Sequence, residues 1–484
     1  MVQPAGTCKR IPTMTEHFDL IVIGAGSAGL TAAGGAALFG LKVALIEAGA
    51  MGGECLNAGC VPSKALIAAA KAAHGARNSV HLGVGATPEI DWSGVRAHIE
   101  GAIAAIAPHD AQERFEAMGI AVIRAPARFI DRKTLLVDER RLTAPRIVIA
   151  TGSKPAIPHI TGLKDAPYLT NETLFDLDVL PEHLMIIGGG AIGVEMAQAF
   201  RRLGSAVTVV ARTTLLPRDD RDAAELVSAQ LCFEGVALEC HREVAGVKMQ
   251  QSAITLTLDD GREISGSHVL VAAGRCANVD GLDLETAHVI VGKDGIAVDA
   301  RRRTSNRRIY AIGDCRAGPR FTHVAGYEGS LVALDIALGW PGKVDWRALP
   351  HVTYSDPELA QIGLTEAEAR KRCGRIDVTK EHFSENDRAV TEGDTRGFLK
   401  LVRYNGKVLG VTVVGPHSGD LLLPWAQIIA GRASAFALGS AIVAYPTRSE
   451  ISKAGAFAAY SPLVFGKWPR RWAAMVRRWR RWRV

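Results

Sequence analysis

The chain has 484 residues, 48% of them hydrophobic and 50 of them glycine, values typical of a large α/β protein with more than one domain. No stretch of about 18 apolar residues occurs, so we expect no membrane-spanning segment. The formal net charge of +7 is carried by residues 467–484, where one lysine and seven arginines occur without an acidic residue.

The first signature along the chain is a dinucleotide-binding unit. A continuous apolar run over 19–23 predicts a buried parallel strand. It leads into the glycines Gly24, Gly26 and Gly29, a helix, and a second strand that ends at Glu47. In such a unit the glycines make the turn, admit a pyrophosphate and pack helix on strand, and the acid binds ribose hydroxyls. The alternative, a glycine-rich turn without a ligand, is disfavoured because the unit is complete.

Two thiols five residues apart, Cys55 and Cys60, precede an alanine-rich helix predicted over 65–73. A helix N-terminus lowers the pKa of a nearby thiol, so we expect one cysteine to be a reactive thiolate. Such a pair can cycle between disulfide and dithiol, moving two electrons. Buried structural cysteines are the alternative. We expect no metal site, because no second Cys/His pair at ligand spacing accompanies these thiols.

A second dinucleotide unit follows a strand predicted over 184–187, with Gly188, Gly190 and Gly193 opening a helix. Its second strand ends at Arg212 rather than at an acid, and Arg218 follows six residues later. Arginine forks match phosphate geometry, so the pattern predicts a 2′-phosphate and favours NADPH over NADH. Solvated surface arginines beside an NAD site are the alternative.

From residue 18 to about 462, these motifs in this order resemble the flavoprotein disulfide reductases, which include dihydrolipoamide dehydrogenase, glutathione reductase and mercuric reductase. The resemblance implies that the first unit holds FAD, with Asp314 on its ribityl chain. The segments containing Thr151, Gly152 and Gly274 resemble those that close the two nucleotide domains.

The same resemblance assigns the chemistry. It places Lys64 beside the flavin N5 with Glu195 next to it, where a cation stabilises reduced flavin. It makes Cys60 the charge-transfer thiolate and Cys55 the thiol that faces the substrate.

The fold implied is α/β, with two Rossmann-like dinucleotide-binding domains and a C-terminal α+β dimerisation domain in which two helices are predicted near 421–431 and 434–444. A homodimer, in which the partner subunit completes each active site, follows from the same resemblance.

The expected domains are an N-terminal extension (1–16), the first part of the FAD domain (17–155), the NADPH domain (156–277), a return to the FAD domain (278–348), the dimerisation domain (349–461) and a basic tail (462–484). Either Met1 or Met14 can be the start.

One motif departs from the disulfide-reducing members, which carry His-Pro-Thr-x-x-Glu near the C-terminus. Here Tyr445 occupies the histidine position, and Glu450 is retained. A phenol with a pKa of about 10 is a poor proton shuttle at neutral pH compared with an imidazole near 6.5. Mercuric reductases carry tyrosine at this position, and a soft metal ion needs no protonated leaving group of that kind. They also end in a cysteine pair that receives the metal, whereas no cysteine follows Cys373. The handover of a metal ion to Cys55 and Cys60 therefore has no relay here, which argues against mercury itself as the substrate.

We therefore interpret the chain as an NADPH-dependent FAD disulfide oxidoreductase, most like mercuric reductase. One alternative is a dihydrolipoyl dehydrogenase, favoured by Gly-Gly-Glu-Cys-Leu-Asn but opposed by Tyr445 and Arg212. Another is a membrane-attached flavin redox carrier or sensor. The sequence leaves the electron acceptor, a metal ion or a disulfide, unidentified.

The tail has a stripe of large apolar residues opposite its arginines, at helical spacings of 4, 3, 4 and 3: Trp468, Trp472, Met475, Trp479 and Trp482. This pattern predicts a helix that lies on an anionic membrane surface. Packing on the body or on the partner subunit is the alternative, and nucleic-acid binding is disfavoured because the basic residues are confined to one short helix.

The chain has eight scattered cysteines, of which one pair is functional, so we expect a reducing compartment and a cytoplasmic enzyme. The basic tail is expected to attach this enzyme peripherally at the inner membrane face. The four cysteines Cys232, Cys240, Cys276 and Cys373 are expected in cores.

Overall fold

The computed structural model describes residues 15–250 and 253–482. Most of the predicted N-terminal extension, and with it the choice between Met1 and Met14, lies outside these residues. The α-helices are α1 (Ser27–Leu38), α2 (Gly53–Asn57), α3 (Cys60–Asn78), α4 (Trp92–Ile106), α5 (Gln112–Ala117), α6 (Ala191–Leu203), α7 (Arg221–Phe233), α8 (Thr322–Leu338), α9 (Glu366–Cys373), α10 (Asp387–Thr391), α11 (Leu423–Ile429), α12 (Ala435–Gly439), α13 (Glu450–Val464) and α14 (Lys467–Arg481).

The strands are β1 (Thr15–His17), β2 (Leu20–Ile23), β3 (Val43–Ile46), β4 (Ala121–Ile123), β5 (Ala127–Phe129), β6 (Thr134–Val137), β7 (Arg140–Thr143), β8 (Arg146–Ile149), β9 (Ser153–Pro155), β10 (Tyr168–Leu169), β11 (His183–Ile187), β12 (Ala206–Ala211), β13 (Ala237–Cys240), β14 (Val244–Gln250), β15 (Ala253–Leu258), β16 (Glu263–Gly266), β17 (His268–Val271), β18 (Arg275–Ala277), β19 (Val291–Gly292), β20 (Gly295–Ile296), β21 (Ile309–Ala311), β22 (Pro350–Thr353), β23 (Glu358–Gly363), β24 (Asp377–His382), β25 (Phe398–Tyr404) and β26 (Lys407–Gly415). They form three five-stranded sheets and several smaller ones.

The first five-stranded sheet is parallel, in the order β21-β8-β2-β3-β4. Strand β2 is buried on both faces: Leu20 and Val22 pack with α1 and α8, and Ile21 and Ile23 pack with the small β1-β7-β6-β5 sheet. Burial on both faces explains why its sequence is continuously apolar rather than alternating.

The second sheet, β10-β17-β11-β12-β13, repeats this plan. Its strands are parallel, and β11–α6–β12 reproduces the arrangement of β2–α1–β3. The small antiparallel sheet β14-β15-β16 is inserted between β13 and β17. The chain thus contains the two strand–glycine turn–helix–strand units that its sequence predicts.

The third sheet, β22-β23-β26-β25-β24, is antiparallel and buries Trp425 of α11 and Ile451 of α13 in one core. Buried ion pairs hold it against the second sheet's helices. Arg202 of α6 contacts Glu234 at 2.6 Å and Asp356, just before β23, at 2.9 Å.

Two expectations were wrong in detail. The helix predicted over 434–444 ends at Gly439, where the chain turns toward α13 instead of completing further turns. Of the four cysteines expected in cores, Cys232 is exposed and the other three are only half-buried. Cys232 follows the buried Leu231 on α7 and therefore lies on a different face of that helix.

The glycines that close each dinucleotide unit pack without space for a side chain. A Cβ at Gly29 would lie 1.8 Å from the carbonyl oxygen of Gly24, and a Cβ at Gly193 would lie 2.1 Å from that of Gly188. At these two positions the helix backbone therefore packs directly against the glycine turn.

We expect Gly29→Ala to destabilise the protein by about 1–3 kcal/mol or more, because the new methyl group overlaps backbone that cannot rotate away. The matched change Gly101→Ala, in α4 with no atom within 4 Å of the new Cβ, should instead stabilise by about 0.5–1 kcal/mol. Thermal unfolding of both variants tests this. Equal melting temperatures would contradict the close packing.

Candidate active site

All three large sheets contribute to one cleft of about 2400 Å³. Drug-sized ligands typically occupy about 300–1,000 Å³, so this cleft can take two dinucleotides. It is lined by every site residue predicted from the sequence except Gly29, Gly193, Tyr445 and Glu450. The first two of these pack helix against strand, and the last two lie elsewhere in the chain.

The first dinucleotide unit presents backbone and an acid to the cleft. Gly24 has φ +105°, and a Cβ there would lie 2.4 Å from the carbonyl oxygen of Ala150. At Gly26 the nearest atom to such a Cβ would be 3.8 Å away, so the backbone is open to a ligand. Glu47 lies directly after β3 and accepts hydrogen bonds from the amides of Ala25 at 2.5 Å and Gly49 at 2.6 Å. These bonds hold the carboxylate where a ribose would lie.

The second dinucleotide unit has a similarly open glycine turn, but the side chains after its second strand are positively instead of negatively charged. Gly188 has φ +127°, and no atom lies within 4 Å of a Cβ built on Gly190. Arg212 and Arg218 are exposed, line the cleft, and form no ion pair with another described residue. No acid occupies the end of β12. The site therefore presents two available guanidinium groups where the first unit presents Glu47.

The two cysteines lie together at the start of α3. Cys60 is the first residue of that 19-residue helix, so its sulfur lies at the positive end of the helix dipole. The hydroxyl of Thr322, the first residue of α8, lies 3.3 Å from Cys60 Sγ and 3.4 Å from Cys55 Sγ. One threonine therefore bridges both sulfurs.

The two thiols differ in acidity. The hydrogen bond with Cys55 lowers the pKa of Cys60 to about 6, assisted by Thr322 and by the positive charge of Lys64, against the opposing effect of burial. The same hydrogen bond, together with burial and the neighbouring Cys60, raises the pKa of Cys55. At neutral pH the reduced pair thus holds one thiolate, on Cys60, and one thiol, on Cys55.

Lys64 lies one turn along α3 from Cys60 and pairs with Glu195 of α6 at 2.8 Å. The other oxygen of Glu195 accepts the amide of Tyr354 at 3.0 Å, and the Lys64 ammonium lies 4.3 Å from the Tyr354 ring centroid. Since α3, α6 and the chain after β22 each supply one group, this cluster links the three sheets beside the cysteines.

A second polar network leads from the cysteine loop toward Asp314. Glu54 accepts hydrogen bonds from Asn171, at 2.6 Å, and from Arg275. Arg275 donates to the Ser153 hydroxyl at 2.8 Å, which donates to Asp314 at 2.9 Å. Burial raises the pKa of Glu54. The network fixes the residue before Cys55 relative to the Asp314 carboxylate.

The structure of one chain separates Tyr445 and Glu450 from the cleft. Tyr445 is 71% exposed, and its hydroxyl donates to Asp387 at 2.9 Å, which raises the pKa of the phenol. Glu450 accepts the amide of Thr447 at 3.1 Å instead of orienting Tyr445. Within the single chain, Asp387 of α10 and not Glu450 is therefore the hydrogen-bond partner of Tyr445.

Comparison with known proteins identifies the family. Residues 18–329 match the pyridine nucleotide-disulphide oxidoreductase family, and residues 349–455 match its dimerisation domain. The chain belongs to the pyridine nucleotide-disulphide oxidoreductases. The prediction of an oxidoreductase that uses FAD and NAD(P)H is confirmed, as is the fold class, and the dimerisation domain supports a homodimer.

The similar proteins within the family include both a mercuric reductase and a dihydrolipoyl dehydrogenase. The mercuric reductase of Streptomyces lividans is 36% identical over 84% of this chain and 88% of its own length. The dihydrolipoyl dehydrogenase of Thermus scotoductus is also 36% identical, over 90% of this chain and 96% of its own.

Solved structures show the same fold. LpdA of Mycobacterium tuberculosis has a TM-score of 0.84 and 29% identity, covering 91% of this chain and 99% of its own. The HOCl-induced flavoprotein disulfide reductase RclA of Escherichia coli, as a Cu(II) complex, has a TM-score of 0.82 and 28% identity, covering 90% and 98%.

Sequence reasoning missed three residues of this oxidoreductase's site: Thr322, Tyr354 and Arg275. Each reaches the cleft from a segment distant in sequence, and none belongs to a fingerprint. The one available signal was for Thr322, because it opens a helix eight residues after Asp314.

We expect Thr322→Val to raise the pKa of the Cys60 thiol by about one pH unit, because one hydrogen bond to the thiolate is lost. The thiolate absorbance of the reduced protein near 240 nm, followed from pH 4 to 9, measures this. In the unchanged protein the thiolate signal should be lost as pH falls through about 6. Thr391→Val, on α10, is the control, and an unchanged titration in Thr322→Val would contradict the contact.

Proposed function

We propose that this oxidoreductase transfers electrons from NADPH through FAD to the Cys55/Cys60 pair and then to a soft metal ion bound by thiolates, as in mercuric reductases. The observation that carries the proposal is the pair of thiols at the start of α3, bridged by Thr322, with a thiolate on Cys60. Soft metal ions prefer thiolate ligands.

The cleft residues fit both cofactors. Open backbone at Gly26 and Gly190 suits two pyrophosphates, Glu47 suits the FAD ribose, and the unpaired Arg212 and Arg218 suit a 2′-phosphate, which favours NADPH over NADH. When bound, the cofactors supply hydride transfer and a two-electron relay to the disulfide.

Side chains of the protein stabilise the Cys60 thiolate and hold the proton on Cys55. Reduction of the Cys55–Cys60 disulfide by two electrons gives a thiolate on Cys60 and, with one proton, a thiol on Cys55. Lys64, fixed by Glu195, places its positive charge near the Cys60 sulfur and stabilises this form. Cys55, with the raised pKa, loses its proton when it binds the metal ion.

The acceptor is inferred from the proton chemistry at position 445, which lies outside the cleft of its own chain and serves the active site that the two subunits of the homodimer complete together. A disulfide acceptor needs a proton donor for its leaving thiolate, whereas a metal ion does not. The hydrogen bond to Asp387 raises the pKa of Tyr445, so the phenol is a still weaker proton shuttle at neutral pH than an unperturbed tyrosine. This favours a metal ion over lipoamide as the acceptor.

We expect Hg(II), given with an excess of small thiol, to stimulate NADPH oxidation by the purified protein, and lipoamide to stimulate it weakly. Cys60→Ser should abolish the mercury-dependent rate, since the pair can no longer accept electrons, and Cys373→Ser should retain it because that cysteine lies outside the cleft. Absence of mercury stimulation in protein with bound flavin and a reducible disulfide would refute the metal-ion acceptor.

We also propose that the tail attaches the enzyme to an anionic membrane surface. Helix α14 has no buried residue, and Trp468 and Trp472 are 80% and 64% exposed, so these two tryptophans of the stripe lie at the surface rather than in a core. No helix of the described residues is long and apolar enough to span a bilayer. An arginine face opposite a tryptophan stripe fits the headgroup region of anionic lipid, with each basic residue adding about 1 kcal/mol.

We expect the full chain to sediment with phosphatidylglycerol vesicles and not with phosphatidylcholine vesicles, and to be released by high salt. A form that ends at residue 465 lacks the tail and should stay in the supernatant. The double variant Trp468→Ser/Trp472→Ser should bind the vesicles much more weakly than the full chain. If the full and shortened forms sediment equally, the stripe instead covers the partner subunit.

A further inference from the structure

The two arginines that suit a 2′-phosphate lie on a connection, residues 212–220, that the third sheet holds in place. Neither guanidinium pairs with another described residue, so their positions depend on the backbone that carries them. On its inner side this connection is fixed by the amide of Leu216, which donates to the carbonyl of Gly189 at 2.8 Å, with Leu216 at φ +47°. The amide of Asp219 also donates to the carbonyl of Leu216 at 3.1 Å, and Arg221 donates to the Thr214 hydroxyl at 2.7 Å. The two side chains that follow Arg218 add contacts with the third sheet.

The first outer contact is Asp219, the residue directly after Arg218. Its carboxylate lies 2.8 Å from Nε2 of His351, on β22 of the third sheet. The His351 ring stacks on Phe321 at a centroid distance of 6.1 Å, next to Thr322. The stacking contact with Phe321 thus fixes the position of the imidazole, and the imidazole in turn fixes the Asp219 carboxylate.

The second outer contact is Asp220, which pairs with Lys400 of β25 at 2.7 Å. The two side chains are 2% and 3% exposed. Lys400 also contacts Asp222 at 2.9 Å and Glu366 at 3.1 Å, so its three ammonium hydrogens each have a carboxylate partner. A buried ammonium satisfied in this way resists displacement, since moving it would leave the buried carboxylate of Asp220 unpaired.

We propose that Lys400 and His351 are positioning residues for NADPH selectivity, acting through Asp220 and Asp219 to hold Arg218 where it meets the 2′-phosphate. The proposal rests on the proposed use of NADPH. It means that the third domain, which matches the family's dimerisation domain, also sets the geometry of the nucleotide site. Loss of either contact should weaken binding of the nucleotide that carries a 2′-phosphate and spare the one that lacks it.

The test is the KM for NADPH and for NADH in steady state with ferricyanide as acceptor, which requires no knowledge of the physiological acceptor. In Lys400→Met we expect the KM for NADPH to rise at least fivefold, with kcat and the KM for NADH within twofold of the unchanged protein. Lys380→Met is the matched control: Lys380 contacts Asp222 at 2.7 Å and is partly exposed, so its loss should leave both KM values unchanged.

His351→Leu keeps the proposal testable if Lys400→Met does not fold, because His351 is partly exposed and the Lys400 ammonium keeps its three carboxylate partners in that variant. Arg218→Ala serves as the reference for loss of the phosphate contact. If Arg218→Ala weakens NADPH but Lys400→Met and His351→Leu do not, or if they raise the KM of both nucleotides equally, the positioning role is overturned. If the unchanged protein does not prefer NADPH, the proposed cofactor choice itself fails.

Discussion

The chemistry of this protein depends on a single thiolate kept stable at neutral pH. Cys60 has no strong cation in direct contact. Its low pKa comes first from the hydrogen bond with Cys55, then from the hydroxyl of Thr322 and the charge of Lys64, acting against burial and the negative charge of Glu195. Cys55 and Lys64 lie within five residues of Cys60, so the local chain supplies both groups. The hydroxyl of Thr322, 262 residues away in sequence, reaches the sulfur only because the fold places the start of α8 beside the cysteine pair.

The three large sheets meet where that thiolate lies, and buried charges join them. Arg202 ties α6 to Asp356, and Lys400 ties the third sheet to the start of α7. Such pairs add little net stability, since desolvation offsets their attraction, but they are costly to break on one side. They fix the second nucleotide unit relative to the third sheet, while the Lys64–Glu195 pair joins the cysteine helix to the second unit.

The features predicted well were those with a local physical cause. Continuous apolar runs predicted β2, β3, β11 and β12, and glycine spacing predicted both dinucleotide units, because strand burial and helix–strand contact restrict which residues can occupy these positions. The helix after the cysteines was predicted too short: it begins at Cys60 itself, so that the sulfur lies at the helix start. The contact of the Tyr445 hydroxyl with Asp387 was not predicted, since Asp387 belongs to α10, 58 residues earlier in the chain.

The sequence by itself determined the family, the two nucleotide units, the reactive cysteine pair and the charge that distinguishes the second unit from the first. These are short-range patterns in which neighbouring residues must cooperate to make one turn, one strand or one site. The family resemblance had also assigned the thiolate to Cys60 and paired Lys64 with Glu195. Only the tertiary structure decided that Thr322 touches both sulfurs, that the amide of Tyr354 binds Glu195, and that the third sheet holds the arginine connection. These contacts join residues more than a hundred positions apart, and no local pattern encodes them, because any of several surface groups could have met there until the sheets packed.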